Sequence, residues 1–165
     1  MAKRRVSGIA RGVSIAVLRL DPPASFVVVV TLDDAGSPHF SLYSLMHLYP
    51  VDETRLLISV AKSSGTYARL SAGCRAWIVA LLPPNAYYLE ALVEGLYTLR
   101  HVDDSAVELG EAGVMLSVHF TEVDESGDAP LTRAPGFEVG KVAPAYTDVR
   151  RALESLAASF KSAQS

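Results

Sequence analysis

The stretch Lys62-Ser63-Ser64-Gly65-Thr66 gathers an ammonium and three hydroxyls immediately ahead of a segment with helical character. A helix start presents unbonded N–H groups and the positive end of the dipole, and the hydroxyls and ammonium add donors, so the combination suits a phosphate. Arg69, one turn further along, can reach the same anion or face water. The same residues serve equally as a turn capped by Ser63 or Ser64, which needs no ligand. The order GxxxxGK[ST] of a nucleotide-triphosphate loop is absent.

Little else in the chain forms a reactive set. His39, His47, His101 and His119 are scattered, without an HxxxH or HExxH pair, and no metal site is expected. His101 with Asp103 and Asp104 reads as a loop and cap. Glu90 and Glu94 share one face of a strand, as a carboxylate pair or as a solvated edge. Cys74 is the only cysteine, so an intrachain disulfide is impossible, and its apolar surroundings read as packing. No Ser/His/Asp or Cys/His set can be assembled from spacing. Such a chain suits cofactor chemistry, where the protein binds and orients a group that reacts, better than hydrolysis. It suits a binding module without turnover equally well.

The elements that would position these residues are mostly strands. Phe26–Leu32, FVVVVTL, predicts a strand buried on both faces. Asp33-Asp34-Ala35-Gly36-Ser37 predicts a hairpin, with Gly36 at positive φ. A second strand is expected over His39–Leu48, interrupted near Tyr49-Pro50, and a third over Thr54–Ala61, the three forming a meander. A short helix to about Gly73 follows, then strands over Arg75–Leu82, Tyr87–Leu99 with a bend at Gly95, and Val114–Val123. Tyr146, Val149, Leu153, Leu156 and Phe160 place an apolar stripe on a C-terminal helix over 144–162, covering its own barrel or a partner's. Residues 1–7 read as a basic tail. Ile9, Val13, Ala16, Val17 and Leu20 have helical spacing, although a strand fits their β-branching, and Asp21-Pro22-Pro23 ends that segment. Residues 124–141 read as a long loop, either one in which Arg133, Phe137 and Lys141 help cover a ligand or, equally, a mobile surface loop.

With 165 residues, 50% hydrophobic and 20% charged, the chain fits one domain. The net charge of −3 argues against unspecific nucleic-acid binding. No apolar run has the length of a membrane helix, and MAKRR is not followed by a signal-peptide core, so a cytoplasmic location is expected.

Six antiparallel strands with a helix between the third and fourth describe a small mainly-β barrel with flanking helices. The order resembles the FMN-binding split barrel of the pyridoxamine 5′-phosphate oxidase family. The resemblance rests on TLDDAGSPHFSLYSL, SVAKSSGTYARLSAGCRAWIVAL and VEGLYTL, and spans about residues 24–124. It implies a homodimer with FMN at the interface. Lys62, Ser64 and Thr66 would then hold the phosphate, Val60 would offer a backbone contact, and Ser41, Tyr43, Ser44 and Glu90 would line the flavin. Thr66 stands where many members have lysine, Gly65 where some have arginine, and Ser41 where the oxidases proper tend to have arginine. The resemblance thus implies an FMN-dependent oxidoreductase of unidentified substrate, related to those oxidases but not one of them. The alternative is a non-enzymatic split-barrel dimer binding a flavin-like, haem or other phosphate-bearing ligand, or none, with His47 and His119 as the haem candidates.

Overall fold

The computed structural model describes residues 4–5, 26–82, 85–124 and 144–163; the segments read above over 6–25 and 125–143 lie outside them. The strands are β1 (Arg4–Arg5), β2 (Phe26–Leu32), β3 (Pro38–Ser44), β4 (Leu48–Pro50), β5 (Arg55–Ala61), β6 (Ala76–Leu82), β7 (Asn85–Arg100) and β8 (Glu108–Asp124). The helices are α1 (Gly65–Ser71) and α2 (Pro144–Ser162). All the strands join one antiparallel sheet in the order β3-β2-β6-β7-β8-β5-β4, and β1 pairs with the end of β8. Arg4 and Arg5, read as part of the basic tail, thus supply that pairing.

The two ends of this order are neighbours in sequence. Only the 3-10 turn Leu45–His47 separates β3 from β4, so the sheet must curl until its edges approach. Among the described residues β3 and β4 do not pair, and the result is a mainly-β barrel split along one seam. This arrangement replaces the expected meander. β3 pairs with β2, but β5 pairs with β8 and β4, because the 3-10 turn carries the chain across the seam. The break also falls earlier than Tyr49-Pro50, and Pro50 is accommodated because β4 is an edge strand. β8 begins at Glu108 rather than Val114; residues 108–113 lack apolar alternation but are recruited by pairing to β7 and β5.

The core has two layers. Val27, Val29, Ile58, Val60, Leu89, Leu116 and their neighbours fill the barrel. On its outside, α2 packs Val149, Ala152, Leu153 and Ala157 against Leu57, Leu99 and Met115. The stripe on α2 therefore covers its own barrel. Arg150 fastens the helix to β4, donating from Nη1 to the Leu48 carbonyl at 2.6 Å and lying 4.9 Å from the Tyr49 ring centroid. Gly113 lets α2 pack closely, since a Cβ there would lie a tight 3.0 Å from Leu156 Cδ2 and 3.1 Å from Leu99 Cδ2. Gly36 adopts φ of 80° in the hairpin, and β7 shifts register between Val93 and Gly95 as the bend required.

β2 departs from the reading of burial on both faces. Val27 and Val29 are buried, but Val28 and Val30 face outward and are only partly covered. They pair across the sheet with Leu42 and Phe40 on one side and with Val79 and Trp77 on the other. Phe40 is 70% exposed and Leu42 62%, so among the described residues the outer face of β3-β2-β6 carries an exposed apolar patch on β3 beside the partly covered Val28 and Val30.

Candidate functional site

β3 turns His39, Ser41 and Tyr43 inward, while Phe40 and Leu42 point out. The inward row meets α1, which follows β5 through the turn at 62–64. Ser64 is the N-cap of α1: its Oγ accepts from the Tyr67 backbone N–H at 3.1 Å. A serine cap of this kind stabilises a helix by about 1 kcal/mol. Thr66 is buried, with its hydroxyl 2.7 Å from that of Ser41 and in contact with the Tyr43 phenol. Burial pushes the Tyr43 phenol up from its ordinary value, which keeps it neutral. Arg69 folds back along α1 and donates from Nε to the hydroxyl of buried Thr31 at 2.7 Å. Among the described residues its Nη atoms find no hydrogen-bond partner. A Cβ at Gly65 would lie 3.0 Å from Arg69 Nη1, so the missing side chain at the first residue of α1 makes room for the guanidinium.

The structure thus brings together Ser41, Tyr43, Thr66 and Arg69 from the residues singled out in the sequence, and adds Thr31. The others are placed differently. Lys62 Nζ lies 3.1 Å from Glu108 Oε2 in a partly exposed pair, of a type worth about 0–1 kcal/mol. Ser63 is exposed beside the site, and Val60 is fully buried in the barrel. Ser44 bonds His47 Nδ1 at 3.0 Å, and burial lowers the proton affinity of that imidazole. Glu90 lies on the outer face opposite Trp77, bridging Arg75 Nη1 at 2.7 Å and His119 Nε2 at 3.2 Å. His47 and His119 accordingly stand on different parts of the barrel. Cys74, read as buried packing, is half-buried in the turn after α1. The sequence did offer a signal for Thr31, as the one hydroxyl in a run of valines at an inward position, and the reading passed over it.

No family model and no curated protein matches the chain. Among solved structures it is similar to a candidate pyridoxamine 5′-phosphate oxidase of Lactobacillus delbrueckii, at 14% identity, covering 75% of this chain and 99% of that one, with a TM-score of 0.46. It is similar to the styrene monooxygenase flavin reductase of Pseudomonas putida S12, at 13% identity, 70% and 86% coverage and a TM-score of 0.46. It is also similar to an FMN-binding protein of Syntrophomonas wolfei, at 12% identity, 73% and 86% coverage and a TM-score of 0.45. These neighbours are FMN-binding split-barrel proteins of the pyridoxamine 5′-phosphate oxidase type.

Proposed function

We propose that this chain binds FMN and acts as a flavin-dependent oxidoreductase of unidentified substrate, related to the pyridoxamine 5′-phosphate oxidases but not one of them. The observation that carries this reading is the Arg69 guanidinium: among the described residues its Nη donors have no hydrogen-bond partner, and Nη1 lies against Gly65 at the start of α1, which is followed by the Thr66 hydroxyl bonded to Ser41. A phosphate supplies the acceptors those donors lack. The flavin ring would carry the electrons, while the chain binds and orients it. The test is the visible absorption spectrum of freshly purified protein, followed by titration with FMN. Flavin bands, or saturable uptake of FMN by colourless protein, support the reading. A Soret band, or protein that takes up no FMN, removes it. A second reading, a binding module without turnover, is favoured by the commitment of Ser64 to its helix cap and of Lys62 to Glu108.

The proposal includes a homodimer. α2 is spent on its own barrel, which leaves the outer face formed by Val28, Val30, Phe40, Leu42, Trp77 and Val79 as the surface to be covered. The wild-type protein is expected to sediment as a dimer at micromolar concentration and Phe40→Glu as a folded monomer. A wild-type monomer would exclude the interface and with it any flavin site shared between two copies.

A further inference from the structure

His39 lies next to this site, across the sheet from Thr31. Its partner Asp33 is immobilised by the hairpin: Oδ1 accepts the backbone N–H of Ala35 at 3.0 Å and of Ser37 at 2.8 Å. Oδ2 lies 3.1 Å from His39 Nε2. The bond to His39, followed by that to Ser37, holds the Asp33 carboxyl below its usual range, so at neutral pH it is an anion that only accepts. Nε2 must therefore carry a proton, and the remaining nitrogen, Nδ1, is a lone pair in the neutral ring and a donor only in the imidazolium. Among the described residues Nδ1 finds no partner.

The position of the ring gives this a use. His39 is the cross-strand partner of Thr31, so the two side chains rise from one face with Cβ atoms about 5 Å apart. Thr31 is the residue that holds Arg69 Nε. Imidazole and guanidinium thus flank a single residue, and Ser41 follows His39 on the same face of β3. Among the described residues the charged group bonded to the ring is Asp33 in its own hairpin, and Arg69 on α1 is held by the cross-strand neighbour Thr31; Asp34, in the same turn, is exposed. Tyr43 further along β3 is neutral. Thr31 thus has a donor group on either side, neither with an acceptor for its remaining nitrogens among the described residues, and Nδ1 donates only when the ring is protonated.

We propose that His39 and Arg69 together hold an oxyanion, and that His39 binds it only as the imidazolium, so that anion binding takes up a proton. This rests on the reading of Arg69 as an anion ligand. The anion is either the phosphate of the cofactor or an anionic group of the substrate, and both present the same chemistry. The sign follows from the donor: the neutral ring has no proton on Nδ1, so affinity falls as pH rises. For one linked proton the fall approaches tenfold per pH unit.

Sulfate is the probe, because its charge is constant over the range in which histidine titrates. Calorimetric titration between about pH 5 and 8, in two buffers of different ionisation enthalpy, measures both affinity and proton uptake. Wild type is expected to bind sulfate with uptake of up to one proton. His39→Gln should bind weakly and without pH dependence. Asp33→Asn keeps the turn acceptor but turns an amide N–H toward Nε2, so the neutral ring carries its proton on Nδ1, and sulfate binding should take up less proton and persist at higher pH. Arg69→Ala should lose binding at every pH. Absence of sulfate binding, pH-independent binding, or an unchanged profile in any of these variants would overturn the proposal. Displacement of FMN by sulfate would identify the anion as the cofactor phosphate; simultaneous binding would assign it to the substrate. Sulfate binding as described without FMN uptake would leave this inference standing and remove the flavin reading.

Discussion

Arg69→Ala is expected to weaken FMN about 10- to 150-fold while leaving riboflavin, which lacks the phosphate, almost unchanged; that range is a charge-assisted hydrogen bond of about 1.5–3 kcal/mol. The residue is half-buried, its Nε is anchored on Thr31, and among the described residues its Nη atoms have no hydrogen-bond partner, so it is pre-organised for a forked contact. Lys62→Ala should have a smaller effect, because its ammonium is turned toward Glu108, which also pairs with Arg100. Gly65→Ala provides a control that removes no ligand group. The added methyl displaces the guanidinium and should reduce FMN affinity, with little effect on stability because only the end of a flexible side chain must move. Fluorescence titration with both flavins measures all three. Equal losses for FMN and riboflavin in Arg69→Ala would reduce the residue to a support of the fold.

Leu153→Ala should destabilise the protein by about 2–5 kcal/mol, the usual cost of truncating a buried leucine and leaving part of its cavity. Leu153 is fully buried between α2 and the outer wall of β5, β7 and β8. For a chain of this size the loss corresponds to a melting temperature lower by roughly 4–20 °C. Calorimetry on the variant checks this. If the stripe on α2 instead served a partner, dissociation would rise and the melting temperature of the dilute protein would scarcely change. The partly exposed Leu156 of the same helix offers a milder comparison, since less of its surface leaves water on folding.

The elements themselves were legible because each carries a local signal. The valine run, the Asp-Asp-Ala-Gly hairpin and the 3, 4, 3, 4 spacing of the last helix all reflect constraints acting within a few residues. The start of β8 was not legible, because residues 108–113 become strand through pairing with β7 and β5 and not through their own alternation. The meander failed for a related reason. Which strands pair depends on where the 3-10 turn at Leu45–His47 sends the chain, and those three residues carry no marker of that direction.

The candidate site divides along the same line. That hydroxyls and cations cluster around the start of α1 is a property of adjacent residues, and Ser64 caps the helix as its type and place require. Which cation turns toward the site was decided only in three dimensions. Lys62 and Arg69 are both close in sequence, but Glu108 draws the first away across the sheet, while Thr31 and the space over Gly65 hold the second in place. Thr31 and Glu108 lie far from residue 65 along the chain and reach it only because the barrel curls. The bond between Asp33 and His39 spans one hairpin, yet its relevance to Arg69 depends on the register that sets His39 opposite Thr31. A side chain's chemistry is written in its type, but the partner that consumes or spares its donors is chosen by strand pairing, where shifting the register by one residue turns every side chain to the other face.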